Sequence, residues 1–213
     1  MNYIRIALGK GRLANTALEC FQKIGICLED YDPKSRKLIF VDEEKKIRVV
    51  LVKASDVPIY VEHGAADIGI VGKDTLMETN ADVYEIMDLG FGKCKFVVAA
   101  PKECHFYHDR KLRVATKYPN VAKEYYRQKG EPIEIIRLNG SVELAPLMGL
   151  SDVIVDIVET GTTLKENGLE VLEDMYQVSA RLIVNKVSFK TRGQEIGEIV
   201  KNLQSIIEKK GDK

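Results

Sequence analysis

The stretch ELAPLMGLSDVIVDIVETGTTL, residues 143–164, decides the fold class. Its segment 151–158 is rich in β-branched apolar residues, which predicts a buried strand. The Thr-Gly-Thr-Thr sequence at 160–163 then breaks the strand and leads into a helix that we expect to end at Asn167-Gly168. A strand, a tight turn and a helix in succession are typical of an α/β protein.

Strands and helices alternate on both sides of this stretch. We predict strands at residues 4–8, 38–41, 47–52, 67–71, 83–89, 95–100, 112–115, 133–138, 151–158, 169–176 and 180–184. We predict helices at residues 13–24, from Asp56 as N-cap to about 64, after 72–74, at 121–128, at 142–148, up to 167, and at 194–208. The alternation predicts an α/β fold with mainly parallel sheets, plus one hairpin across residues 42–46.

The chain divides into two predicted lobes. Gly90 and Gly92 are candidate hinge residues, and a strand and a long amphipathic helix follow Ser179. We therefore expect residues 1–90 and 179–213 to form a discontinuous first lobe, with residues 91–178 forming a second lobe that contains the Thr-Gly turn.

Composition excludes several classes of protein. Apolar residues make up 45% of the chain, and 32 basic residues balance 32 acidic ones, so bulk charge indicates neither a nucleic-acid nor a membrane partner. The four cysteines include no CxxC pair, which favours reduced thiols in a cytoplasmic protein. We predict no signal peptide and no membrane span, because the N-terminus lacks a long apolar region and no apolar run approaches about 18 residues.

The Thr-Gly turn has the chemistry of a phosphate site. Gly161 allows close approach of the backbone, the hydroxyls of Thr160, Thr162 and Thr163 add donors, and a helix start favours an anion. An acidic residue at the strand end, such as Asp156, can bind ribose hydroxyls. The alternative is an ordinary strand–helix turn with no ligand.

The pattern of strand, acid and Thr-Gly-x-Thr resembles the phosphoribosyl pyrophosphate loop of phosphoribosyltransferases. The whole run 143–164 resembles, more specifically, the signature of the ATP phosphoribosyltransferase family. Residues 9–13, 35–38, 56–58 and 64–74 are similar to further blocks of that family. Lys53 departs from the arginine often found there, and this change keeps the charge but loses bidentate geometry.

The resemblance implies a reaction and a set of site residues. Members transfer the phosphoribosyl group to N1 of ATP and release pyrophosphate with Mg²⁺, in the first step of histidine biosynthesis. For phosphoribosyl pyrophosphate it implies Asp156, Glu159, Thr160, Gly161, Thr162 and Thr163, and for ATP it implies Gly9, Lys10, Gly11, Arg12 and Lys53. Asp156, Arg12 and Arg36 are the candidate catalytic residues, and the magnesium ligands stay unassigned.

The resemblance also implies an architecture and a partner. The family fold has two lobes like type II periplasmic binding proteins, with ATP and phosphoribosyl pyrophosphate meeting in the central cleft. A chain of 213 residues resembles the short form, which works with a regulatory subunit similar to histidyl-tRNA synthetase in an expected hetero-octamer.

Two other functions remain open from the sequence. A binding module of the same fold would recognise a phosphorylated ligand without catalysis. A phosphoribosyltransferase for another base usually has two adjacent acids before the turn, and Val155 occupies the first of those positions here.

Some polar residues have no assigned role. Cys104, His105 and His108 could bind a metal, although no partner cluster accompanies them. Asp67 and Asp74 could be functional or could cap a strand and a helix, and we expect little direct role for Asp67. Glu143 could equally stabilise the first turn of its helix.

Overall fold

The computed structural model describes residues 3–102 and 110–211. The chain divides into two compact units, which we call unit 1 (Met1–Gly92 and Ser179–Lys213) and unit 2 (Lys93–Val178). Among the described residues, no helix is both long enough and apolar enough to span a membrane.

The described residues form eleven strands and eight α-helices. The strands are β1 Ile4–Gly9, β2 Ile39–Asp42, β3 Ile47–Val52, β4 Ile68–Gly72, β5 Tyr84–Asp88, β6 Cys94–Pro101, β7 Leu112–Thr116, β8 Ile133–Arg137, β9 Val153–Val158, β10 Leu169–Val178 and β11 Ala180–Val184. The helices are α1 Arg12–Lys23, α2 Val57–Glu62, α3 Lys73–Thr79, α4 Pro119–Lys129, α5 Leu144–Leu147, α6 Thr162–Glu166, α7 Lys186–Thr191 and α8 Gly193–Gly211.

Unit 1 is built on a six-stranded sheet in the order β2-β3-β1-β4-β11-β5. The central strands β1 and β4 are apolar apart from Arg5 of β1, because both of their faces are covered. On one face Ile6 and Leu8 pack with Phe21 of α1 and Leu203 of α8. On the other face Ala7 packs against α2, whose buried side chains include Val57 and Val61.

Unit 2 is built on a five-stranded sheet in the order β10-β6-β9-β7-β8. Strand β9 lies at its centre, parallel to β7 and antiparallel to β6. Ile154, Val158 and Leu164 belong to one core cluster of this unit. The α/β class predicted from the sequence is confirmed.

The expectation of mainly parallel sheets is wrong. In the described part of the chain four strand pairs are parallel and five are antiparallel. Alternating strands and helices predict parallel pairing only where a helix crosses between neighbouring strands. Here β5 runs into β6, and β10 into β11, without a helix between them, and β11 returns antiparallel between β4 and β5.

Local signals explain one missed helix and one incorrect cap. Asn185 is the N-cap of α7, and its side chain accepts hydrogen bonds from the backbone N–H groups of Val187 and Ser188, although no helix was predicted here from the sequence. Asp56 precedes α2 as expected, but its side chain makes no capping bond and instead accepts a hydrogen bond from Ser55. A 3-10 turn at Ala54–Asp56 leads into this helix and explains the difference.

Candidate active site

The Thr-Gly turn of unit 2 lies between two buried anchors. Val158 ends β9 and Leu164 sits inside α6, and both pack in the same core cluster. Between them residues 159, 160, 162 and 163 are exposed and residue 161 is half-buried. The turn therefore presents its polar groups to solvent while its two ends are held by apolar packing.

Hydrogen bonds within the turn fix its shape. The hydroxyl oxygens of Thr160 and Thr162 lie 3.0 Å apart. The side-chain amide of Asn167 donates to the carbonyl oxygen of Thr163 at 2.8 Å, which closes the end of α6. The structure thus brings together the threonines that the sequence analysis singled out.

Gly161 requires the backbone freedom of glycine. Its φ is 79° and its ψ is 1°, in the left-handed region that other residues enter only at a cost. It occupies the N-cap position of α6 and has no side chain to cap the helix, while the hydroxyl of Thr160 accepts a hydrogen bond of 3.5 Å from the backbone N–H of Thr162. Because α6 has only five residues, its dipole is small, and the donors that this turn can offer to an anion are its backbone N–H groups and threonine hydroxyls.

Asp156 lies on β9, three residues before the turn begins at Glu159. Its side chain is half-buried, and its Oδ1 accepts a hydrogen bond of 2.8 Å from the backbone N–H of Ile157. This bond restrains the carboxylate near the end of the strand. A carboxylate held there can accept hydrogen bonds from sugar hydroxyls or stabilise a positive charge close by.

The carboxyl end of the unit 1 sheet brings a second group of predicted residues together. The N–H of Lys10 donates to the carbonyl of Val52 at 2.9 Å, directly before Lys53. Gly9 permits this approach, since a Cβ at that position would lie 2.7 Å from the Cα of Ala54. The turn at 9–12 and residue 53 are therefore neighbours.

Arg12 and Arg36 belong to the same edge of the sheet. Arg12 opens α1 after Gly11, whose φ of 121° is also positive. Leu38 accepts a hydrogen bond from the N–H of Leu51, so the segment before β2, including Arg36, lies beside the carboxyl end of β3. Lys10, Arg12, Arg36 and Lys53 are all exposed, so this edge can attract anionic ligands.

Sequence reasoning did not assign Ser55 and Asp74 to this edge. Ser55 lies in the 3-10 turn that follows β3, and Asp74 lies in the first turn of α3 directly after β4. The signal was available, because polar residues that follow neighbouring parallel strands gather at the carboxyl end of a sheet.

Asp67 lies at the opposite, amino-terminal end of β4, where it is buried. It accepts hydrogen bonds from the backbone and guanidinium of Arg5 and from the hydroxyl of Ser188. Burial raises the pKa of Asp67, but these hydrogen bonds outweigh it and leave the pKa below its usual value. We infer a structural role for Asp67.

Two further predictions from the sequence concern Glu143 and a possible metal site. Glu143 is half-buried directly before α5, and its side chain makes no capping bond to that helix. Within residues 3–102 and 110–211, no cluster of three histidine, cysteine or acidic side chains could hold a metal ion. Cys104, His105 and His108 lie outside the described residues.

Comparison with known proteins identifies the family. The family model described as ATP phosphoribosyltransferase matches residues 53–205. An ATP phosphoribosyltransferase of Lachnoclostridium phytofermentans is 56% identical over 211 residues, covering 97% of this chain and 98% of the relative. The chain belongs to the ATP phosphoribosyltransferase family. A second member, from Clostridioides difficile, is 56% identical over 97% of this chain.

Solved structures agree with this assignment. The ATP phosphoribosyl transferase (HisG:HisZ) complex from Thermotoga maritima matches with a TM-score of 0.85 and 37% identity, covering 96% of this chain and 98% of that chain. The arginine-bound form of truncated ArgBP from T. maritima matches with a TM-score of 0.56 at 12% identity, and so shares the fold alone. The expected relation of the ATP phosphoribosyltransferase fold to binding proteins is confirmed.

Proposed function

We propose that this chain transfers the 5-phosphoribosyl group of phosphoribosyl pyrophosphate to N1 of ATP, in the first step of histidine biosynthesis. One observation carries the proposal within the family: the exposed turn at 159–163, with left-handed Gly161, follows directly on the strand that carries Asp156. Such a turn suits a sugar phosphate, because it offers donors to the phosphate and a carboxylate to the ribose.

We assign the 5-phosphate of phosphoribosyl pyrophosphate to Glu159, Thr160, Gly161, Thr162 and Thr163. Backbone N–H groups and threonine hydroxyls supply the donors, and the packing of Val158 and Leu164 holds them in place before the ligand binds. Asp156 binds the ribose hydroxyls, and Glu159 contributes mainly through its backbone because its own charge repels phosphate.

We assign ATP to the carboxyl-terminal edge of the unit 1 sheet. Gly11 leaves open space where a side chain would stand, so a nucleotide can approach the backbone there, and Gly9 lets β1 lie close to Ala54. Lys10, Arg12 and Lys53 supply positive charge for the phosphates of ATP and for the departing pyrophosphate, and Arg36 adds to this charge from the segment before β2.

The chemistry requires little acid–base catalysis. The bond between C1 of the ribose and the pyrophosphate oxygen breaks, its electron pair leaves with pyrophosphate, and the N1 lone pair of adenine forms the new bond. Positive charge develops on the ribose ring, as in glycoside hydrolysis, and the carboxylate of Asp156 stabilises it. Arg12 and Arg36 stabilise the negative charge of the leaving pyrophosphate.

Mg²⁺ fits this proposal as a cofactor bound chiefly through substrate. The ion prefers phosphate oxygens and water with only one or two protein carboxylates, and the described residues offer no larger acidic cluster. When bound, Mg²⁺ neutralises part of the pyrophosphate charge. We assign Asp156 of this chain to the ribose and not to the metal ion.

We further propose that the chain acts in the cytoplasm with a regulatory subunit similar to histidyl-tRNA synthetase, in a hetero-octamer. The T. maritima structure that it resembles at 37% identity is a HisG:HisZ complex. Mixing the two purified subunits and measuring their mass together tests the assembly, and separate elution at all concentrations would contradict it.

An absorbance assay for N1-phosphoribosyl-ATP tests the reaction and the site together. It contains the chain, ATP, phosphoribosyl pyrophosphate and Mg²⁺, with and without the regulatory subunit. We expect Asp156→Asn to lower kcat at least about a hundredfold, because asparagine has no negative charge to stabilise the positive charge that develops on the ribose in the transition state. Asp174→Asn is the matched control, because Asp174 lies in the same unit but pairs with Lys95 on the exposed part of β10.

The possible outcomes test the proposed reaction and the assigned ribose site separately. Product from wild type but equal turnover in Asp156→Asn and Asp174→Asn would leave the reaction standing and overturn the assigned ribose site. Absence of product while the subunits associate, or reaction with free adenine, guanine or orotate in place of ATP, would overturn the proposed reaction.

A further inference from the structure

Unit 1 contains a polar cavity at the end of its sheet opposite to Lys10 and Lys53. Its volume is about 590 Å³, and its walls include Arg5, Arg48 and Arg192 together with Asp67 and Thr191. The run of β3 from Arg48 to Lys53 covers roughly 16 Å at the usual rise of a strand. The cavity is therefore separate from the proposed ATP edge.

The sheet places two of these arginines directly opposite each other. Arg5 of β1 is the register partner of Arg48 of β3, and the two strands are parallel. Like charges in opposite positions on neighbouring strands are unfavourable. Such a pair needs negative charge close by to offset the repulsion.

Acidic side chains of the protein supply this negative charge to two of the three arginines. Arg5 donates to both carboxylate oxygens of Asp67, at 3.2 and 3.1 Å. Arg192 donates to Glu195 at 2.7 Å and lies 3.5 Å from the same Asp67. Asp67 is thus already neutralised and does not exclude an anion from the cavity.

Among residues 3–102 and 110–211, Arg48 lacks a comparable partner. Its guanidinium carbon lies 4.7 Å from the centre of the Tyr3 ring, and its Nε is buried with no hydrogen-bond partner among these residues. No carboxylate of the described residues forms an ion pair with it, and the nearby Glu43 is bound by Tyr3 and Lys46. A partly desolvated cation of this kind gains much from an anion.

We propose that this cavity is a binding site for a phosphate group, held chiefly by the Nη groups of Arg48 with Arg5 beside it. The planar guanidinium matches two oxygens of a phosphate, and the cavity has room for a small ester as well as for the free ion. The site does not depend on the proposed transferase reaction, because none of its residues belongs to the substrate turn or to the ATP edge.

Amide chemical shifts of the full chain test the proposal. Inorganic phosphate and methyl phosphate are titrated separately at constant ionic strength, with chloride as the reference salt. We expect saturable shifts at the amides of Arg5, Arg48 and Thr191, and at least a tenfold weaker affinity in Arg48→Gln. Arg127→Gln is the matched control, because Arg127 is exposed in unit 2 and pairs with Glu124.

Three results would overturn the proposal: no saturable shift at these amides in the millimolar range, the same shifts with chloride, or equal affinity in Arg48→Gln and wild type. Saturation by both ligands supports a site for the phosphate group itself. Saturation by inorganic phosphate alone identifies the free ion as the ligand, and saturation by methyl phosphate alone identifies a phosphate ester. If Arg48→Gln fails to fold, Arg48→Lys replaces it, since lysine keeps the charge and loses the paired donors.

Discussion

Replacing Gly9 with alanine tests the close approach of β1 to the 3-10 turn at Ala54–Asp56. An alanine Cβ at position 9 would lie 2.7 Å from the Cα and 2.9 Å from the Cβ of Ala54. Both separations fall roughly 1 Å inside the normal contact of two carbon atoms. Because Ala54 has no rotamer that moves these atoms, the turn itself must shift.

Two opposing contributions determine how much Gly9→Ala changes the free energy of unfolding. Overpacking of this kind costs about 1–3 kcal/mol. The loss of glycine freedom in the unfolded chain returns about 0.4–1 kcal/mol. Taking the middle of each range, we expect a net loss of about 1.3 kcal/mol, which lowers Tm by about 3–5 °C for a chain of this size. Under the proposed function the KM for ATP rises as well, since the shift separates Lys53 from Lys10.

Thermal unfolding followed by circular dichroism measures the change. Gly197→Ala is the matched control, because Gly197 lies exposed in α8 with no atom within 4 Å of an added Cβ. Alanine there favours the helix by up to about 1 kcal/mol, so Tm should rise. A raised Tm for Gly197→Ala together with an unchanged or higher Tm for Gly9→Ala would refute the close approach at Ala54.

Two further substitutions test the turn and the buried carboxylate. Gly161→Ala should cost about 1–2 kcal/mol through its positive φ, without a clash, because the added Cβ would lie 3.7 Å from Val158. Steady-state kinetics should show a larger rise in KM for phosphoribosyl pyrophosphate than for ATP, and equal rises would contradict the assigned phosphate turn. Asp67→Asn should lower the free energy of unfolding by about 1–3 kcal/mol at neutral pH, since it leaves the partly exposed Arg5 and the half-buried Arg192 beside an uncharged group. The pKa of Asp67 is below its usual value, so its contribution is complete above about pH 4 and is lost as the pH falls through the lowered pKa. Urea unfolding should therefore show a smaller difference between variant and wild type in acid, and a constant difference would argue against an ionised Asp67.

Local sequence patterns predicted the parts of the fold that local physics determines. The β-branched run of β9 and the Thr-Gly turn after it are found where expected, because burial and turn chemistry act over a few residues. The turn at 9–12 was predicted in the same way. Its position beside Lys53 was not, since it depends on the pairing of β1 with β3.

Long-range pairing explains what the sequence did not predict. Arg5, Ser188 and Arg192 bind Asp67 from 62, 121 and 125 residues away, and no local pattern encodes such distances. The antiparallel placement of β11 likewise depends on the chain returning to unit 1 after unit 2. The opposition of Arg5 and Arg48 became visible only from the strand register.

The position of β11 also constrains the order of folding during synthesis. Unit 2 is continuous in sequence, so the pairing of its strands needs no residue after 178. The unit 1 sheet lacks an interior strand until β11 has joined it, and before then β4 has no neighbour on that side. The core that begins with β1 also waits for Leu203 of α8. Such late, distant contacts slow folding, so unit 2 can complete its own sheet while unit 1 still waits for the C-terminal segment of the chain.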